Sequence, residues 1–386
     1  MNRSRTTTMV AMSGALASVI ALGGCTADEP GHAHEHTPGA EPIALTYDGG
    51  IYVLDGASLA QKGDVKLDGY NRLNPAGDHD HLMVSTKDGF RVFDAYGAAF
   101  TGTDYPAAKP GHVVRHAGKT VLFADGTGEV TIIDTDKIDS GKSSEVYKTP
   151  TAHHGVALEL GNGNLLVTLG TEDARVGLAA LDKDRREIAR NEDCPGVHGE
   201  AAAQNEAVVV GCQTGAVVYR DGKITKVTSP TPYGRIGNMS GSDSSPIVLG
   251  DYKQDKEAEL ERPQQISLVD TTDGTLRLVD IGTSYTFRSL ARGPQGEALV
   301  LGTDGKIHVI DPVAGKEIRT IPVLGTWQEP LDWQDARPAL FVRDGIAYVS
   351  DPATKQVHRI DLADGKVTAT ATLAAAPNEI TGVTAH

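Results

Sequence analysis

Thr131-Ile132-Ile133-Asp134 is a short apolar run that ends on an aspartate, and the same design recurs along the chain. It returns as Tyr52-Val53-Leu54-Asp55, Arg91-Val92-Phe93-Asp94, Ala179-Ala180-Leu181-Asp182, Val217-Val218-Tyr219-Arg220-Asp221, Ser267-Leu268-Val269-Asp270, His308-Val309-Ile310-Asp311 and His358-Arg359-Ile360-Asp361. Successive aspartates stand 39, 40, 48, 39, 49, 41 and 50 positions apart. That period is the length of a four-stranded propeller blade. Eight copies predict an all-β propeller of eight four-stranded blades, or seven if the unit ending at Asp270 is irregular. A chain of 386 residues would ordinarily divide into two or three domains, but a repeat absorbs residues 43–386 into one closed body.

Each unit reads as an opening strand, a turn, an apolar strand such as Leu165 to Leu169 or Ala298 to Leu301, a second turn and the aspartate-ending strand. Lys87-Asp88-Gly89, Arg220-Asp221-Gly222, Thr303-Asp304-Gly305 and Arg343-Asp344-Gly345 are turns of the kind hairpins require, where positive φ is needed. The first unit has Ile43 to Tyr47 and Ile51 to Asp55 but lacks an opening strand, while Ile380 to Ala385 is a strand with no unit after it. The C-terminal strand is therefore predicted to close the ring, which hides both sheet edges.

A formal charge of −15 argues against nucleic acid, since phosphate binding needs a dense basic face and none is found. The same charge suits a cation as cargo. Residues 1–24 read as a lipoprotein signal peptide: Arg3 and Arg5 precede an apolar stretch from Met9 to Leu22, and Leu22-Gly23-Gly24-Cys25 follows. That tetrad resembles the bacterial lipobox, which implies lipidation at Cys25, a bacterial lipoprotein outside the cytoplasm and a membrane contact through the anchor only. A plain secretory signal is the alternative. Residues 25–42 then form a tail before the propeller. Of the remaining cysteines, Cys194 and Cys212 make an even pair, most simply a disulfide in an oxidising compartment. The rival reading makes Cys194, four residues before His198, a thiolate metal ligand.

The thirteen histidines are unevenly placed. The tail carries Gly31-His32-Ala33-His34-Glu35-His36, where imidazoles at alternate positions can converge on Zn²⁺, with Cu²⁺ or Ni²⁺ as alternatives. A solvated polar linker is the bland alternative, although linkers ordinarily use Ser, Gly and Pro. In the body, matching starts of successive opening strands ring the propeller axis. Aligned so, His112, His153 or His154, and His198 fall at equivalent places in three consecutive units, preceding Val113, Val156 and Ala201. Arg235, Arg288, Asp335 and Glu379 hold the corresponding places in later units. Three neutral imidazoles with a carboxylate such as Glu379, or with water, suit tetrahedral zinc. Strand alternation points His153 and His154 oppositely, so one of the two binds and the other supports it. Asp78-His79-Asp80-His81 lies in a turn at the opposite mouth; Asp78, His79 and His81 are a possible second metal site, or an exposed acidic turn. His116 is read as remote from the ring, and His308 and His358 as structural.

Residues 43–386 resemble the YVTN-type and related bacterial propellers, a likeness that speaks to fold rather than function. Taken with Cys25, His32, His34, His36 and the body histidines, the chain resembles the AztD-type extracytoplasmic zinc metallochaperones. The resemblance implies a monomeric carrier whose tail gathers zinc, whose folded site stores it, and which passes it by ligand exchange to the solute-binding protein of a zinc ABC transporter. Binding through neutral imidazole weakens below about pH 6. Two alternatives stand beside it. A lactonase- or hydrolase-type enzyme is one, because a ring of His, Arg and Glu can hold a sugar acid or a metal-activated water. No haem-attachment, nucleophile-elbow or phosphate-loop motif accompanies it. A metal-free interaction propeller is the other.

Overall fold

A computed structural model describes residues 40–384, so Cys25, His32, His34 and His36 lie outside the described residues. Eight antiparallel sheets of four strands follow one another along the chain. Blade 1 is built from both ends: Pro377–Gly382 is innermost and pairs antiparallel with Ile43–Tyr47, followed by Gly49–Leu54 and Gln61–Leu67. The closing strand thus begins three residues before the predicted Ile380, at Pro377 opposite Tyr47. The innermost strands of blades 2 to 8 are Arg72–Pro75, Pro110–His116, Ala157–Glu159, His198–Ala203, Met239–Ser240, Leu290–Arg292 and Ala339–Arg343. The unit ending at Asp270 is a complete blade with an abbreviated inner strand. Blade 5 gains a short parallel element, Gly234–Arg235 beside Thr214. Among the described residues, helix is limited to two 3-10 turns, Thr135–Ser140 and Gln204–Glu206, and no helix is long and apolar enough to cross a membrane.

The repeating aspartate has a local cause. At the end of six of the third strands its carboxylate caps the turn leading to the outer strand, whereas Asp134 pairs with Lys119 and Lys137 and Asp221 lies in the turn itself: Asp94 Oδ1 accepts from the backbone N–H groups of Tyr96 and Gly97 at 2.9 and 2.8 Å. Asp311 Oδ1 does the same for Val313 and Ala314, and Asp182 Oδ1 for Asp184 and Arg186. A carboxylate that accepts backbone donors two to four residues ahead fixes the reversal without positive φ in its own residue. The middle strands read as unbroken apolar runs because both their faces meet neighbouring blades. Leu82, Met83 and Val84 are all fully buried, and Val114, Leu158, Leu178, Val208 and Val217 share one core cluster across blades 3, 4 and 5.

Cys194 and Cys212 are bonded, with Cα atoms 4.9 Å apart. The thiolate-ligand reading of Cys194 therefore falls. Gly211, next to Cys212, pairs with His198, so the bridge pins the segment that delivers His198 to the inner strand.

Candidate metal centre

Inner strands of a blade all start at one mouth of the ring, and the three histidines stand at or before the starts of three adjacent ones. Two sit at irregularities. The pairing of blade 3 shifts register between Pro110 and Val113, around His112, and that of blade 5 between His198 and Glu200. Such bulges turn a side chain out of the ladder, here toward the axis. Glycine makes both possible. Gly199 has φ +72°, and a Cβ on Gly111 would stand 2.2 Å from Asp125 Oδ1. His154 lies in the loop ahead of Ala157–Glu159.

The ring centroids of His112, His154 and His198 are 5.0 to 5.3 Å apart, and one nitrogen from each lies within 4.8 Å of the others. In a zinc tetrahedron these nitrogens would be about 3.4 Å apart, a contraction that small side-chain rotations supply. Each Nδ1 faces an acceptor. His154 Nδ1 is 2.5 Å from Asp125 Oδ2, His198 Nδ1 donates to the Gly237 carbonyl at 2.7 Å, and His112 Nδ1 is 3.7 Å from Glu200 Oε2. A carbonyl or carboxylate can only accept from a ring nitrogen, so His154 and His198 carry their proton on Nδ1 and keep the Nε2 lone pair for an ion, the usual arrangement of a metal-binding histidine. Asp251 in turn holds Gly237 and Asn238 through their backbone N–H groups.

Electrostatics keep His112 and His198 neutral. Burial, then the neighbouring His198 and His154, hold His112 well below the ordinary histidine range. Burial pushes His198 down to about 3, against the hydrogen bond to Gly237 and with help from His154, Arg235 and Arg175. Burial pushes the Glu200 carboxyl up to about 8. Beside the cluster, a cavity of about 250 Å³ is lined by Arg72, His112, Glu200, Gly237, Asn238 and Phe287 among others. A larger one of about 510 Å³ around Tyr70, Lys87 and Asp104 has no histidine in its lining.

The other predicted ligands are placed elsewhere. His153 is 3% exposed, with Nδ1 on the Thr151 carbonyl at 2.9 Å and Nε2 at 3.1 Å from both the carbonyl and hydroxyl oxygens of Thr168, and its ring meets Phe123 edge-on. Both nitrogens are engaged, so it is a core residue and neither joins the cluster nor touches His154's orienting carboxylate. Glu379 is tied to Tyr70, Arg72, Arg288 and the Leu73 amide across the channel, outside the donor cluster. At the opposite mouth Asp78 is consumed by its own turn, accepting the Asp80 and His81 amides and pairing with His81 Nδ1 at 2.6 Å. Among the described residues Asp78, His79 and His81 do not form a donor cluster. His116 pairs with Glu206, His308 sits between Asp304 and Glu317, and His358 meets the Thr370 hydroxyl. The sequence reading missed Asp125, Glu200 and Gly237. One signal was present: every clustered histidine adjoins a glycine, as Gly111-His112, His154-Gly155 and His198-Gly199.

Fold and cluster together define an eight-bladed propeller with a candidate three-histidine metal centre at one mouth. The chain is similar in sequence to the zinc chaperone AztD of Citrobacter koseri, 26% identical over 286 residues that make up 71% of this chain and 66% of that protein. The match thus spans just under two thirds of the relative's length. Two solved structures of AztD from Citrobacter koseri, one of them apo, align with TM-scores of 0.74 and 0.73 at 21% and 20% identity, covering 88% and 89% of this chain and 96% and 98% of theirs. The likeness to AztD-type chaperones drawn from the sequence is borne out. Dihydro-heme d1 dehydrogenase NirN in complex with DHE aligns at 0.63 with 12% identity over 92% of this chain and 77% of its own, so an enzyme shares the fold. No family model matches the chain.

Proposed function

We propose that this protein is an extracytoplasmic zinc metallochaperone. Zinc is its cargo, held by Nε2 of His112, His154 and His198 and passed to the solute-binding protein of a zinc ABC transporter. The observation that carries this reading is the convergence of three imidazoles from three consecutive blades, with Nδ1 of His154 and His198 held by an acceptor and with the exposed His154 as the outermost of the three. Neutral ligands suit a carrier, because they hold the ion without cancelling its charge and so leave it attractive to an anionic receiving site. His154 is the point of exit: it is the exposed member, so an incoming ligand can replace it first while His112 and His198 still hold the ion. The similarity to a protein named a zinc chaperone supports the same reading.

Residues 1–24 serve as the export signal, Cys25 as the lipidated anchor to the cell membrane, and residues 25–42 as a tail whose His32, His34 and His36 gather zinc for the folded site. Metal analysis by mass spectrometry tests this on untagged protein and on a variant lacking residues 26–40. About one zinc is retained by the shortened protein and lost from its His112→Ala/His154→Ala/His198→Ala variant. Sub-stoichiometric metal in both full-length and shortened protein overturns the reading.

A further inference from the structure

Three donors do not complete a zinc tetrahedron, and among the described residues the cluster of mutually close donor atoms holds three imidazoles only. Asp125 is engaged with His154, and Glu200 stands 3.7 Å from His112 on its Nδ1 side. Neutral ligands leave the ion's charge of two uncompensated. On the same mouth stand two guanidinium groups, Arg175 and Arg235, whose side chains form no hydrogen bond or ion pair with any described residue. Their neighbours differ: Arg72, which lines the cavity beside His112, and Arg288 both reach Glu379.

The chain places the two close to the imidazoles. Arg235 ends the short element beside Thr214, two residues before the carbonyl that orients His198. Its guanidinium lies against that peptide, since a Cβ on Gly237 would be 2.5 Å from Arg235 Nη1. Arg175 opens the third strand of blade 4, at the end where His154 precedes the inner strand. Both are felt at His198, and Arg175 also at His112. Burial and the charge of Arg235 weaken the hold of Arg175 on its proton, and Asp125 offsets this in part. Two half-buried like charges beside a cation site are unfavourable unless an anion joins them.

We propose that Arg175 and Arg235 form an anion subsite at the rim of the three-histidine centre, which takes a carboxylate as the fourth zinc ligand. This rests on the zinc reading of that centre. The planar guanidinium forks suit a carboxylate bidentately and leave a second lone pair on one of its oxygens for the metal. The carboxylate comes from solution. A metal charge of two, one carboxylate and two guanidiniums then leave a site that binds firmly only while the anion stays, and loss of the anion loosens the ion for transfer.

The test uses the full chain, stripped of metal and loaded with one equivalent of Co²⁺, whose visible absorption reports its coordination. Sodium acetate is titrated at constant ionic strength. A saturable spectral change is expected, with the apparent acetate affinity lowered about tenfold or more in Arg175→Gln/Arg235→Gln and recovered only in part by the double lysine variant. Cobalt bound by the wild type but indifferent to acetate overturns the subsite alone, as does an equal response in the double glutamine variant. Failure of the wild type to bind Co²⁺ overturns the three-histidine reading and the subsite with it. Unchanged thermal melts of the variants keep a folding defect from imitating the expected result.

Discussion

Replacing Asp125 by asparagine removes one negative charge from the acceptor of His154 and leaves its shape. The carboxylate–imidazole contact is short, 2.5 Å, and Asp125 is mostly buried, whereas the His154 side chain is 43% exposed. A charge-assisted hydrogen bond contributes about 1.5–3 kcal/mol when shielded, and solvent around His154 reduces that to about 1–2 kcal/mol. Zinc affinity is therefore expected to fall about 5- to 30-fold, within the range seen when the partner of a metal-binding histidine is removed. The introduced amide oxygen can still accept the Gly155 N–H that Asp125 Oδ1 now receives at 3.3 Å, so the loop should hold. Competition against a chromophoric zinc chelator reads the affinity, and a melt of the metal-free protein reads the fold. The reasoning is refuted if Asp125→Asn binds zinc as tightly as the wild type while His154→Ala does not. In that case the carboxylate merely shapes the turn. Gly111→Ala provides a companion perturbation, since its Cβ would press on Asp125 Oδ1 at 2.2 Å and push the same carboxylate off the ring.

Three other outcomes follow from the same geometry. His153→Ala empties a core position and removes the ring's hydrogen bonds to Thr151 and Thr168, so the protein should lose about 2–4 kcal/mol in denaturant unfolding with zinc stoichiometry unchanged. Reducing Cys194–Cys212 opens an 18-residue separation and should cost about 3 kcal/mol, with zinc affinity falling as well because the bridge borders His198; calorimetry in reductant measures both. His198 is held near 3 in the folded protein, whereas the unfolded chain protonates it near 6.5. Between those values the unfolded state binds more protons, so the metal-free protein loses stability as pH falls from about 6.5 towards 3. Melts across that window should show the loss, and His198→Asn should flatten it. For zinc the same depression delays competition by protons at His112 and His198, so retention extends below the pH of about 6 that solvated imidazole would suggest.

The eight blades were legible because each carries its own local instruction: an apolar run sized for a two-sided burial and an aspartate at its end, which in six of the eight caps the next turn. Ring closure was legible from the unmatched strands at the two ends. The site was legible only as far as topology carries it. Equivalent strand starts brought His112, His154 and His198 to one mouth, but alignment alone left His153 and His154 interchangeable. What separates them is local: His153 finds Thr151 and Thr168 in the core, and His154 finds Asp125 from a neighbouring blade's turn. Glu379 occupies the predicted start position, yet the arginines opposite it claim its carboxylate. The orienting groups were hidden for a related reason, since Asp125 lies 29 positions from its partner and Gly237 acts through a backbone carbonyl that any residue possesses.

The central claim is tested most directly by a crystal structure of the zinc-loaded protein with anomalous diffraction at the zinc edge. The account predicts one strong peak about 2.0–2.1 Å from Nε2 of His112, His154 and His198. A peak at the opposite mouth beside Asp78 and His81, or no peak between the three imidazoles of the loaded protein, would contradict it.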